Sequence, residues 1–392
     1  MEGIRRLSAK GVGFALLLCL LIFFQATCAP QATFLNQKNA NLPPRPRMGS
    51  YASSTVGTTF LGPNELGPHG YEYNWSEQNG IVYTCKGGHI DISHTRKAAD
   101  WTAFLAARAF DRISRNKRSF TFKMREPSVY RIELTYPENW RELPQAEQER
   151  IAREIALALG PYLSYAANTW HEILTWFGYG NIAIYSEFPS AFSWEDTFSN
   201  LLGTHVAAEA LRDTEHTYDK AVTLALDREL KNLGVQKASA ARRASEKMRG
   251  LWFSGDWLFF VHTKSRNFDI GLDDGLVTPR LVPPIPECRG AEPQPYPVPN
   301  LDVLSEHGFS IKFEIEPKEW EKDKILSVIY PNAKEREKRL EPAVHFAPIM
   351  DYIRKAAAKK YPYNGDPQDP TPRTTFDFLE HVLPQTSTAT PK

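Results

Sequence analysis

The sequence predicts an α+β fold with a mainly helical core, short antiparallel strands and hairpins, and a single domain. Several long stretches repeat apolar residues at steps of three and four, the period of a helix with one buried face. Shorter runs alternate apolar and polar residues around turn formers, as hairpins do. The chain has 392 residues, 42% of them hydrophobic and 24% charged, enough for a sizeable core and too apolar for wholesale disorder. No internal repeat is found, which argues against a solenoid.

Read from the N-terminus, Arg5, Arg6 and Lys10 precede an uncharged run from Val12 to Phe24. A spanning helix needs about 20 apolar residues, so this run reads as the core of an export signal over residues 1–28. Gln25-Ala26-Thr27-Cys28 is similar to a bacterial lipobox, although Gln25 and Thr27 stand where Leu and a small residue are usual. Cleavage after Ala29 would leave Pro30 first, which signal peptidases disfavour, so lipidation at Cys28 and simple cleavage both stay open. A lipid would anchor the protein to a membrane without a spanning helix. Residues 29–68, with Leu42-Pro43-Pro44-Arg45-Pro46-Arg47 in the middle, read as a flexible tether.

The globular domain is expected over 69–361. Gly80–Tyr83 and His89–Ile92 look like strands, and Arg96–Arg115 places Ala98, Trp101, Leu105, Ala109 and Ile113 on one helical face. Phe120 and Phe122, then Tyr130, Ile132 and Leu134, alternate around Glu126-Pro127-Ser128 and predict a hairpin. A long helix should start near Gln145, be disturbed at Gly160-Pro161, and end by Gly178 or Gly180. Another starts at Ser193, and Asp213–Gly234 and Lys237–Arg249 add two more. Trp257–Val261 and Phe309–Glu316 read as strands, Thr278–Asn300 as a proline-rich loop, and 362–392 as a disordered tail.

Charge and cysteine use narrow the function. The formal charge of +1 falls to about −1 without a leader that holds Arg5, Arg6 and Lys10 against Glu2, which leaves no basic footprint for nucleic acid. Beyond Cys19 and Cys28, only Cys85 and Cys288 remain, and in an exported chain a pair of thiols reads as a disulfide. The competing reading makes Cys85 a nucleophile with His89 or His94 as its base.

Three stretches could carry chemistry. From Ile155 to Ser186 the only formally charged side chain is Glu172, on a helix expected to be buried on all sides. A carboxylate there must be paired, protonated or bound to a metal. Tyr165, Asn168 and Thr175 share its stripe, so Tyr165 is a candidate substrate contact. A zincin is rejected, because after His171-Glu172 position 175 is Thr, where the second histidine would be needed.

The second stretch is Gly87-Gly88-His89-Ile90-Asp91-Ile92-Ser93-His94-Thr95-Arg96. Ser93 or Thr95 can cap the following helix, and Arg96 can pair with Asp100 on its surface, which explains part of the charge. What is left over is Asp91 and His94, with Asp91 as orienter and His94 as base or metal ligand, and Arg96 free to steady an anionic substrate group. The third stretch is Ser193–Asn200. Ser193 followed by Asp196 resembles a capping box, which leaves Asn200, one turn on, as a substrate contact and His205 with Glu209 as a further pair.

Tyr83–Arg96, Glu172-Ile173-Leu174-Thr175-Trp176-Phe177-Gly178, Ser193–Gly203 and Arg266-Asn267-Phe268-Asp269-Ile270-Gly271 together resemble an uncharacterised family of bacterial exported proteins, domain of unknown function 4056. The resemblance spans about residues 60–285. It implies a bacterial envelope location, under which the Asn74-Trp75-Ser76 sequon has no glycan to carry, and it implies no activity.

Two functions of different class follow. In the first, His94, Glu172 and Asp196 converge in a cleft and hold a divalent metal that activates water, giving a hydrolase for an envelope component, or Glu172 acts alone as general base. In the second, the chain is a non-catalytic envelope lipoprotein whose polar residues satisfy one another, with Glu172 locked to an arginine, and whose partners are an envelope component or the membrane surface.

Overall fold

A computed structural model describes residues 34–36, 42–53, 57–180, 188–255, 261–283, 285–332, 334 and 336–360. The export signal with Cys28, residues 257–260 of one expected strand, and the tail from 362 lie outside the described residues. Eight α-helices and four short antiparallel sheets make up the rest, an α+β architecture that is mainly helical.

The hairpin β1 (Ile81–Thr84) and β2 (Gly88–Asp91) pairs Tyr83 with His89 and leads straight into α1 (Ile92–Ser114). This helix starts four residues before the expected Arg96, because the Asp91 carboxylate caps it by accepting from the backbone N–H groups of Ser93 and His94. Neither Ser93 nor Thr95 is the cap. Helix α1 is buried on most sides, between α2 (Gln145–Trp176) and α3 (Asp196–Ala210). Both contacts depend on a missing side chain. A Cβ on Gly160 of α2 would lie 2.6 Å from the Thr102 carbonyl oxygen, and one on Gly203 of α3 would overlap the Thr95 carbonyl. Close approach therefore explains Gly160, and α2 runs unbroken through Gly160-Pro161 where a disturbance was expected.

β3 (Ser119–Phe122) and β4 (Val129–Thr135) form the expected hairpin, and β9 (Ser310–Glu316) joins β4 as a third strand, with Tyr130 opposite Ile315. Between β4 and β9 in the chain come α4 (Tyr218–Asn232), α5 (Ala238–Met248), the two-residue strands β5 (Phe253–Ser254) with β6 (His262–Thr263) and β7 (Leu276–Val277) with β8 (Tyr296–Pro297), and the one-turn α6 (Asp302–Glu306). β8 puts a strand inside the proline-rich loop. Helices α7 (Lys322–Ile329) and α8 (Pro342–Lys360) complete the chain. The Cys85–Cys288 disulfide ties the first hairpin turn to that loop.

The largest departure from expectation is the tether. Residues 42–53 and 57–68 are built into the fold, with Arg47, Ala52, Ser53, Phe60, Leu61 and Leu66 all buried. Their composition hides this, because one arginine does much of the anchoring. Arg47 pairs with Asp100 of α1 and, at 2.8 Å, with Glu77, while His69 meets Asp100 at 2.9 Å. Asp100 is thus an internal partner of the N-terminal segment and does not form a surface pair with Arg96. Polar proline-rich segments can be held by buried charge as firmly as by apolar packing.

Candidate functional site

Asp91 stands where strand turns into helix, and its carboxylate is held from several sides. Oδ1 accepts from the N–H of Ser93 at 2.7 Å and of His94 at 3.3 Å, and Oδ2 accepts from the N–H of Ser50 at 2.8 Å. Its own N–H donates to Ser199 Oγ of α3 at 2.9 Å. The N-terminal segment 47–53 is therefore a strap across the start of α1, fastened further by Ala52, whose N–H donates to the Glu195 carboxylate at 2.8 Å.

His94 lies in the first turn of α1 with Nδ1 2.8 Å from Asp91 Oδ2 and 3.1 Å from Asp196 Oδ1. Burial and the Lys97 ammonium oppose a charged ring, but Asp196 and Asp91 outweigh them and push the imidazole up to about 10. Asp91, His94 and Asp196 each offer one ligand atom, and the three atoms lie within 4.8 Å of one another. Two carboxylate oxygens and an imidazole nitrogen at that spacing fit a divalent cation with places left for water.

Glu172 faces the same space from the last turns of α2. Its Oε2 accepts from the Phe192 N–H at 2.7 Å. Phe192 is fully buried and left-handed, at φ 52°, a conformation that costs a non-glycine residue about 1–2 kcal/mol. Arg266 donates to the Ala191 carbonyl, and the Asn267 N–H donates to the Phe192 carbonyl at 2.9 Å, so the 266–267 segment holds the turn in that shape. Burial first, then the Asp196 charge, raises the Glu172 carboxyl above its usual range, with His171, the Phe192 N–H and His94 opposing.

His94, Asp196 and Glu172 line a cleft of about 130 Å³, room for a few waters or one small polar group, with Asp91 buried behind His94. Asn168, His171 and Thr175 continue the Glu172 wall, and Lys97 and Trp101 continue the His94 wall. A second histidine pair sits here too: His171 Nδ1 is 2.5 Å from Oε1 of Glu126, in the β3–β4 turn. Burial works against both charges, yet the pairing prevails, raising the imidazole and lowering the carboxyl. The turn is locked to α2 by the Trp170 indole N–H, which donates to Ser128 Oγ at 2.9 Å.

The structure places His94, Glu172 and Asp196 on one cleft, with Asp91 behind His94, and no arginine is paired with Glu172 among the described residues. Three expected substrate contacts lie elsewhere. Arg96 is buried away from the cleft, donating to the carbonyls of Gln78 (2.7 Å), Gly67 (2.9 Å) and Leu66 (3.1 Å). Tyr165 is in the core two turns before Glu172, and Asn200 is buried in α3; neither lines the cleft. Helix α3 begins at Asp196 with Glu195 as its cap residue and no side-chain cap, which replaces the expected Ser193 start and capping box. His205 Nε2 meets the Pro297 carbonyl at 2.7 Å and Glu209 pairs with Arg228, so they are not partners of each other. Cys85 is bonded to Cys288, which removes it as a nucleophile, and His89 lies between the Ala241 carbonyl and the Trp194 indole.

No local pattern marks Glu126, which reads as a turn residue, or the strap. Lys97 could have been found, since it follows His94 by three residues on the same helical stripe. A larger groove of about 400 Å³ lies between α2, α3 and residues 297–303. Its titratable groups are mostly engaged already, Glu154 with Arg150 and His307, and His205 with Pro297, so it lacks the converging set of the smaller cleft.

Residues 64–258 match the family described as Protein of unknown function (DUF4056). Three of the four blocks that carry the resemblance in the sequence lie within this match and supply Asp91, His94, Glu172 and Asp196; the fourth, Arg266–Gly271, lies beyond it and holds the Phe192 turn. No curated protein and no solved structure matches the chain.

Proposed function

We propose that this chain, a member of the DUF4056 family through residues 64–258, is an exported hydrolase whose centre is the cleft around His94. The observation that carries the reading is the grouping of Asp91, His94 and Asp196, with ligand atoms within 4.8 Å, beside the buried carboxyl of Glu172. A divalent cation held by the three would lower the pKa of a water and polarise a carbonyl or phosphoryl oxygen. Asp91 is fixed by three backbone N–H groups, which set its carboxylate against His94 before any cation binds. Glu172, whose carboxyl burial raises above its usual range, takes the proton from the attacking water. The His171–Glu126 pair, across the same space, is placed to return a proton to the leaving group. Export is supported by the basic and apolar start of the chain and by the Cys85–Cys288 disulfide, a bond that persists in oxidising compartments. An envelope ester, amide or glycan is then the expected substrate. No helix among the described residues is long and apolar enough to cross a membrane; a lipid at Cys28 would attach the chain to one.

The test is elemental mass spectrometry on the purified protein after exposure to zinc, manganese and magnesium, beside Asp196→Asn. Near-stoichiometric metal in the parent and little in a folded variant supports the centre, and metal-dependent cleavage across an ester, amide and glycan panel supports the reaction. A parent that takes up no metal, or a variant that takes up as much, sinks the metal-assisted reading.

A further inference from the structure

Among the described residues, Lys97 is a charged group of the cleft that neither its packing nor the proposed chemistry uses. Lys97 lies one turn after His94 on α1, half-buried, while its neighbours Arg96, Ala98, Ala99 and Asp100 are fully buried. Its side chain lines the cleft together with Trp101, facing His171 and Glu172 on the opposite wall. No carboxylate lies within ion-pair distance of its ammonium, and no hydrogen bond engages it, among the described residues.

Its side chain shares the cleft wall with two histidines as well as with the carboxylates. The ammonium lies close enough to both His94 and His171 to oppose the charge on each ring. The neighbouring carboxylate that benefits from it, Glu126, is already paired with His171. A lysine wanted only for solubility would extend to open water; this one lies between two histidine–carboxylate pairs at the wall of a small polar cavity. Half-buried cations without a partner are costly, and a ligand that neutralises one gains the corresponding attraction in a medium of reduced dielectric. Arg125, exposed and without an ion-pair partner among the described residues, lines the same cleft from the β3–β4 turn and adds a second positive charge there. Trp101 and Met124 form an apolar flank next to them.

We propose that Lys97 is the anion-binding residue of this cleft, so that the substrate carries a phosphoryl or carboxylate group next to the bond that is cleaved. The inference rests on the hydrolase reading for the word substrate, but anion binding itself does not need that reading.

The experiment is calorimetric titration of inorganic phosphate, and separately of acetate, into the metal-free full chain, Lys97→Met, and Lys324→Met, which removes an exposed lysine of α7. Folding is checked by circular dichroism, and metal uptake of each protein is measured separately. The expected result is phosphate or acetate binding to the parent and to Lys324→Met, weakened about tenfold or more in Lys97→Met, with metal uptake unchanged in all three. Equal affinity in parent and Lys97→Met, or no binding to the parent at millimolar anion, overturns the anion site. Metal uptake without an effect of Lys97 would leave the hydrolase centre standing and remove this proposal; an effect of Lys97 in a chain that takes up no metal would do the reverse.

Discussion

At the scale of single residues, Glu172 separates function from stability. Its carboxyl is buried, raised above its usual range by that burial and hydrogen-bonded to a backbone N–H, and an amide can accept the same bond. Glu172→Gln should therefore be at least as stable as the parent in thermal denaturation, while hydrolysis of whichever substrate is turned over falls by about 10²–10⁴, the usual worth of a general base. A variant that loses stability and keeps activity would place Glu172 in the structure alone. This residue was legible in the sequence because it is a lone charge in an apolar stretch, and Asp91 and His94 were legible because capping and surface pairing did not use them up. Arg96 was misread for a related reason. A polar residue near a helix start looks available for substrate, and nothing in the local pattern says that three backbone carbonyls will surround it.

At the scale of elements, helices were easier to read than what joins them. The steps of three and four in α2 are a local signal, whereas the sites where α1 meets its neighbours are set by two glycines from distant parts of the chain. Gly203→Ala tests this: its Cβ would overlap the carbonyl of Thr95, the residue after His94, and backbone cannot yield as a flexible side chain does. A loss of about 1–3 kcal/mol is expected in urea denaturation. An unchanged midpoint would mean that α1 and α3 can slide apart without cost. The N-terminal strap was missed because proline-rich composition predicts a linker, and the contacts that overrule it are long-range: Arg47 to Asp100, Ser50 to Asp91, Ala52 to Glu195.

At the scale of the whole molecule, the strap is fastened by buried charge, and this has a pH signature. Burial works to raise the Glu77 carboxyl, but Arg47 and then Arg96 outweigh it and hold it well below the usual carboxylate range. The folded state thus binds this proton less readily than the unfolded chain, whose glutamate titrates near pH 4.3. The stability it contributes is fully present above that pH and is lost as the pH falls toward the lower folded value. Glu77→Gln should cost about 3–5 kcal/mol at neutral pH, because it leaves Arg47 and Arg96 with less compensation, and should flatten the acid limb of the stability profile. Parallel acid limbs in urea titrations of parent and variant would rule this out.

The disulfide has a consequence for how the molecule breaks. Cys85 and Cys288, 203 residues apart, close a ring of covalent chain that contains Asp91, His94, Lys97, Glu126, His171, Glu172 and Asp196. A protease that cuts one exposed loop within this ring opens it but releases nothing, so every cleft group stays on one joined molecule until a reductant arrives. The strap, at residues 42–53, lies outside the ring. A cut between it and Cys85 leaves it attached by noncovalent contacts alone, which makes it the one wall of the cleft that proteolysis can shed.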